Sequence, residues 1–216
     1  MYRYIAILHD FILKMVTAYI ISTQVERTMQ VMNSYRLKKK DYHYTVLFWL
    51  ILVISSGCAS IDYKQIAESG EVPPLIGRVN DFSQTLSAEQ INNLNSIIID
   101  FEKELGPQFV VLIINTTGDT SLEDYSIQVM NAWGIGRKEY NDGIGIIVAI
   151  QDRKVRIELG SGTSSFFSDK EAERILNQNI LPQFKQGNIY QGILNGTKEA
   201  IKVFEDGMPR EWRPKN

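Results

Sequence analysis

The most regular stretch of the chain is amphipathic. Ile91, Leu94, Ile98, Phe101 and Leu105 follow one another in steps of three and four, with polar residues between them. That spacing predicts a helix with one buried face. Ser87-Ala-Glu-Gln90 supplies its start: the Ser oxygen can accept an early helix N–H and the Gln side chain can reach back. Gly106-Pro107 supplies its stop. Phe109-Val-Val-Leu-Ile-Ile114 then runs apolar without a break and is rich in β-branched residues, which predicts a strand covered on both faces. Ile144 to Ile150 repeats this pattern. Between the two, Thr120-Ser-Leu-Glu123 has capping-box spacing, and Leu122, Tyr125, Val129, Ala132 and Trp133 line one face of a second helix.

Further along, Lys154-Val-Arg-Ile-Glu-Leu159 alternates charged and apolar residues. It predicts an antiparallel partner with one solvated face, reached through a turn at Asp152-Arg153. Gly160-Ser-Gly162 breaks it. Ser168-Asp-Lys-Glu171 caps a helix through Ile175 and Leu176, Ile180 to Phe184 makes a turn or short helix, and Tyr190 to Phe204 forms the last helix. The order α-β-α-β-β-α-α predicts an α/β fold: a three-layer α/β/α sandwich around a central mixed, roughly four-stranded sheet. This domain occupies 78–206, and 207–216 reads as a flexible tail. Residues 58–77 are polar and carry Pro73-Pro74, so they read as a linker.

The first 57 residues have a different character. Tyr44 to Gly57 is uncharged and apolar, short for a membrane span of roughly 20 residues but suited to the core of a signal peptide. Arg36-Leu-Lys38-Lys39-Lys40 precedes it, and Ser55-Ser56-Gly57 leads into Cys58. The pattern resembles the lipobox of bacterial lipoproteins, in which the cysteine is acylated and the leader removed; Ser55 stands where Leu is most typical. An uncleaved signal anchor is the other reading. Residues 1–31 fit neither well; a start at Met32 gives a leader of ordinary proportions, and a second weak membrane or amphipathic segment is the alternative. The expectation is an exported, lipid-anchored protein on the periplasmic side of the envelope. Ala59 after the cysteine permits outer-membrane delivery by enteric sorting rules.

Charge and scarce residue types narrow the chemistry. From Ala59 onward there are 16 Lys/Arg and 22 Asp/Glu without basic runs, which argues against nucleic acid as a partner. Cys58 is the only cysteine, and both histidines, His9 and His43, lie in the leader. The exported domain therefore lacks the residues for a Ser-His-Asp triad, a Cys-His pair or a His-ligated zinc. Gly134-Ile-Gly136 and Gly160-Ser-Gly162 lack the strand and helix context of a nucleotide fingerprint.

Carboxylates are what remains. Asp142 sits before a buried strand between Asn141 and Gly143, Asp119 and Asp124 follow another strand, and Asp81 precedes the first long helix. Together they are candidate ligands for a hard cation, Ca²⁺ or Mg²⁺, which takes six to eight oxygens in the case of Ca²⁺. The competing reading is structural: Asn-Asp-Gly is a turn tripeptide, and acids are favourable at helix starts. A phosphatase would need an Asp nucleophile or metal-activated water, with Arg137, Lys138, Arg153 or Arg156 to neutralise phosphate. The Asp-x-Asp pattern of aspartyl phosphatases is absent. Trp133 reads as core, and Phe166-Phe167 as an apolar anchor or a partner-binding wedge.

Several motifs agree in order with one known family. They are Val79-Asn80-Asp81 before Leu86-Ser87, Trp133-Gly-Ile-Gly136, Asn141-Asp-Gly143, Asp152-Arg-Lys-Val-Arg-Ile157, and Leu181-Pro-Gln-Phe-Lys-Gln-Gly187. Over about Val79 to Phe204 the sequence resembles the TPM domain family. It departs at Gly160-Ser161-Gly162, where relatives commonly have Gly-Tyr-Gly. Members include thylakoid-lumen proteins linked to photosystem repair, an accessory subunit of a nematode receptor and many bacterial envelope proteins. Acid-phosphatase activity has been attributed to some and divalent-cation binding to others. The resemblance implies a fold and a compartment more firmly than a reaction; together with the leader it gives the expectation of a lipid-anchored accessory or interaction module with a membrane or envelope protein partner, serving assembly, maintenance or quality control, and a phosphatase as the alternative.

Overall fold

The computed structural model describes residues 63–214. The expected leader, the lipid site at Cys58 and the Met32 start lie outside the described residues. Four strands form one sheet in the order β1 (Val79–Asp81), β2 (Phe109–Ile114), β3 (Ile144–Ala149), β4 (Lys154–Leu159). The first three are parallel and β4 is antiparallel to β3. Among the described residues the α-helices are α1 (Tyr63–Glu68), α2 (Ala88–Leu105), α3 (Leu122–Trp133), α4 (Asp169–Ile175), α5 (Leu181–Phe184) and α6 (Ile189–Gly207), with a π-helical stretch at Leu176–Ile180 joining α4 to α5.

The unbroken apolar runs of β2 and β3 divide their side chains between two cores. Phe109, Val111, Ile113, Ile144, Ile146 and Val148 pack under α2, α4 and α6, together with Leu94, Ile98, Phe101 and Phe204. Leu112, Ile114, Ile147 and Ala149 face α3 and α1, with Tyr125, Val129 and Ala67. The three-layer sandwich is therefore present, and it explains why neither strand can carry a polar residue. Each fully buried Leu, Ile or Phe contributes on the order of 1.5–3 kcal/mol relative to exposure, so the Leu94, Ile98, Phe101 stripe alone fixes α2 to the sheet.

The caps follow the sequence closely. Ser87 accepts from Gln90 N–H and Gln90 returns the bond to Ser87 N–H, making a full capping box. Ser168 caps α4. For α3 the cap is Ser121, which accepts from Asp124 N–H, one residue later than the Thr120 expected from spacing alone. Three further differences concern boundaries. The segment expected to be a linker joins the domain from α1 onward: Ala67 is buried and its carbonyl accepts from Asn115 and Thr116 N–H. Val79–Asp81, read only as the domain's beginning, is an edge strand. The segment expected as a loose tail is packed, since α6 reaches Gly207, Met208 is buried and Trp212 stacks on Tyr140.

The topology has one uncommon feature. The chain steps from β1 to β2 to β3 in one direction, yet α2 lies on one face and α3 on the other. Two such crossovers must have opposite hand, so one of them belongs to the left-handed class, about 2% of parallel connections.

Candidate functional site

Strand polarity decides where the predicted acids fall. Asp81 ends β1, Asp119 and Asp124 follow β2, and all three lie at the C-terminal end of the parallel strands. Asp142 precedes β3 and lies at the opposite end. A six-residue strand, roughly 20 Å long, separates them, so the four carboxylates do not share one site.

Asp142 is fully buried. Its Oδ1 accepts from the backbone N–H of Arg137 at 3.0 Å. Its Oδ2 accepts from Arg137 Nε at 2.8 Å and from Nη2 at 2.5 Å. The same guanidinium donates through Nη1 to the carbonyl of Trp212 at 2.7 Å and lies 4.3 Å from the centre of the Tyr140 ring. The positive charge beside Asp142 is thus a side chain of the protein, and the fork geometry of Arg is filled on three sides. Around this pair the glycine motifs converge. A Cβ on Gly162 would stand 1.7 Å from the Tyr140 carbonyl oxygen, and one on Gly136, at φ 115, would stand 2.8 Å from Gly143 N. Trp133-Gly-Ile-Gly136, Asn141-Asp-Gly143 and Gly160-Ser-Gly162 form a backbone-on-backbone joint locked by one ion pair. Arg137, expected as a phosphate contact, is instead the partner that makes Asp142 buriable; an Arg five residues before a buried Asp was the available signal.

At the C-terminal end of the sheet, each acid except Asp119 has a local partner. Asp81 Oδ2 accepts from Leu86 N–H and Oδ1 from the Ser83 hydroxyl, both at 2.7 Å. Asp124 shares the α3 cap with Ser121. Asp119 is exposed on its loop. Asp152, a turn residue by its sequence context, also acts at longer range: its Oδ2 accepts from Thr117 N–H at 2.9 Å and ties the β2 loop to the β3–β4 hairpin. Burial pushes its carboxyl upward, and the Thr117 N–H, the Thr116 and Thr117 hydroxyls and nearby Lys154 outweigh that and hold it below the ordinary aspartate range. Its position directly after a buried strand, at the end where open α/β sheets place ligands, could have marked it. Among the described residues no three His, Cys, Asp or Glu side chains converge in a way that could hold a metal ion. The arrangement of the four predicted acids does not fit such an ion.

The other predicted residues are spread out. Arg156 pairs with Glu158 at 2.7 Å and approaches Glu123 at 3.7 Å, while Lys138 and Arg153 are exposed. Phe167 is buried and Phe166 packs on Phe204 and Trp212, which is the anchor reading. Trp133 is half-buried and donates Nε1–H to the Pro73 carbonyl at 2.8 Å. An open cavity of about 480 Å³ lies where α2 and α6 begin, lined by Thr85, Gln90 and residues 187–191, and offers amides and hydroxyls but no acid or base. Among the described residues no helix is long and apolar enough to cross a membrane.

Comparison with known proteins agrees with this architecture. The sequence model described as "TPM domain" matches residues 79–203. No curated protein matches the chain. The N-terminal domain of a protein from P. gingivalis is similar at 26% identity, with a TM-score of 0.55, over 66% of this chain and 87% of that one. The BA42 protein from Bizionia argentinensis is similar at 25% identity, with a TM-score of 0.51, over 61% and 86%. With the model covering more than half of its length, this chain belongs to the TPM domain family.

Proposed function

We propose that this protein is a lipid-anchored accessory module of the cell envelope that assists assembly, maintenance or quality control of membrane proteins by holding a partner. One observation carries the reading: the ribbon Glu71–Gly77. Its backbone is fixed by Tyr125 hydroxyl to Glu71 O, Trp133 Nε1 to Pro73 O, and Ile76 and Gly77 N–H to Asn80 Oδ1. Yet Leu75 and Ile76 are 45% and 57% exposed. An apolar pair held rigidly in water has already lost the freedom that binding would otherwise cost, which is the property of a preorganised anchor. The envelope setting rests on the leader pattern and Cys58, and the accessory role on the resemblance to the family's members.

The phosphohydrolase remains as the second reading, supported by Asp152, held ionised at neutral pH and bonded to Thr117, two residues before Asp119 in the β2 loop. A photo-crosslinking residue at Ile76, with one at Arg153 as control, separates the two in cells. Adducts to membrane or envelope proteins from position 76 alone support the module, and none from either position sinks it. Hydrolysis of a phosphomonoester in Ca²⁺ or Mg²⁺, abolished by Asp152→Asn, would establish the enzyme instead. Mass spectrometry of the mature N-terminus tests acylation at Cys58; an intact unmodified leader removes the anchor from the proposal.

A further inference from the structure

Strand β4 is an edge, and one side of it is unpaired among the described residues. β3 and β4 pair so that opposed residue numbers run Ile144 with Leu159 through Ala149 with Lys154. Ile144 and Ile150 donate their N–H groups toward the β2 side, to Gln108 O and Ile114 O, and Gly160 N–H donates to Gly143 O. The backbone groups of Lys154, Arg156 and Glu158 therefore point into the β3 ladder. Those of Val155, Ile157 and Leu159 point the other way, where among the described residues no strand lies. An unpaired row of N–H and C=O groups is a template for another strand.

The side chains select which strand. On the α3 face β4 carries Lys154, Arg156 and Glu158. Arg156 and Glu158 bond each other at 2.7 Å, and Glu158 also accepts from the buried Ser126 hydroxyl. We propose that two copies of this chain pair antiparallel through β4 about a two-fold axis at Ile157. Ile157 then opposes its counterpart, and Val155 opposes Leu159 of the second copy, each as a hydrogen-bonded pair. Arg156 opposes Glu158 of the second copy, and the reverse, at the non-hydrogen-bonded positions where side chains come closest. No like charges face each other in this register. Moving the axis to 156 sets Arg156 against Arg156; moving it to 158 sets Glu158 against Glu158. The partly buried Val155 and Leu159 join across the axis on the apolar face. The product is one continuous sheet through both copies, with no open β4 edge.

The test uses the full chain in detergent, with mass followed by sedimentation over a concentration series. Wild type is expected to associate to a dimer. Arg156→Glu and Glu158→Arg each place like charges opposite one another and are expected to weaken association about tenfold or more. An equimolar mixture of the two variants restores opposite charges in both pairs and is expected to recover the dimer. So is the double variant carrying both changes. A role for this pair within one copy gives no rescue on mixing. Val155→Pro removes an outward N–H without touching the β3 ladder, and it is expected to abolish association while thermal unfolding shows the fold retained. A monomeric wild type, a mixture no better than its components, or an associating Val155→Pro variant overturns the proposal.

Discussion

Replacing Asp142 with Asn tests the joint at its centre. The substitution keeps shape and removes charge. It also turns one acceptor into an NH₂ group facing the donors of Arg137. Removing one partner from a buried ion pair costs roughly 3–5 kcal/mol, because the other charge is stranded. Here the Arg137 side chain is 24% exposed and the Asp142 side chain is not exposed at all. The stranded guanidinium can recover some water, so the expected loss is about 2–3 kcal/mol. For a domain of this size that lowers the melting temperature by about 5–10 °C. Urea titration of the intact chain, followed by circular dichroism and by tryptophan fluorescence, measures it. The fluorescence arm should change more, because Trp212 stacks 4.9 Å from Tyr140 and its carbonyl holds the same guanidinium. The double change Arg137→Met with Asp142→Leu should regain much of the loss, since an apolar pair of similar volume leaves no charge stranded. A loss under about 1 kcal/mol for Asp142→Asn would mean that the ion pair does not hold the joint. So would a Ca²⁺-induced stabilisation of wild type that the variant lacks, because that would make Asp142 a cation ligand.

Other consequences follow from the same structure. Gly162→Ala should cost about 2–3 kcal/mol, since its Cβ meets a carbonyl oxygen that cannot swing away, whereas Gly187→Ala, with open space and φ 80, should cost about 1 kcal/mol; thermal melts compare them directly. Tyr125→Phe removes one hydrogen bond and should cost about 1 kcal/mol, with faster amide exchange in the Glu71–Gly77 ribbon and unchanged exchange in β2 and β3. The Asp152 carboxyl sits below its ordinary value of 3.8 in the folded state, so its contribution is complete above that pH and is lost as pH falls through the lower folded value. Asp152→Asn should therefore be less stable than wild type at neutral pH and should show a flatter acid limb in a pH series of melting temperatures.

How far the sequence could be read depends on the range of the interaction. Ser87, Ser168 and the run Phe109–Ile114 act through neighbours three or four residues away, or through uniform burial, and their elements fall where the pattern places them. β1 has only three residues and pairs with Val111 to Ile113 across a whole helix, so no periodicity announces it. The docking of α1 rests on the Ala67 carbonyl meeting Asn115 N–H, a bond that Pro73-Pro74 in the sequence masks behind a linker signal. The tail is held by Arg137 from 75 residues away. The candidate acids show the same divide: each is locally plausible as a ligand, and only the direction of the strands reveals that Asp142 belongs to a different end of the molecule.

The opposite hands of the two crossovers bear on where a ligand could enter. In open α/β sheets a crevice forms where the chains leaving two adjacent strands turn toward opposite faces, and folds with uniform right-handed connections achieve this by reversing strand order. Here the order β1-β2-β3 never reverses. The segment leaving β1 climbs to α2 on one face and the segment leaving β2 climbs to α3 on the other, so the same divergence arises from a change of hand. The chain thereby makes a switch point between Asp81 and Asn115 with three parallel strands, and it does so in a sheet too small to contain the usual reversal.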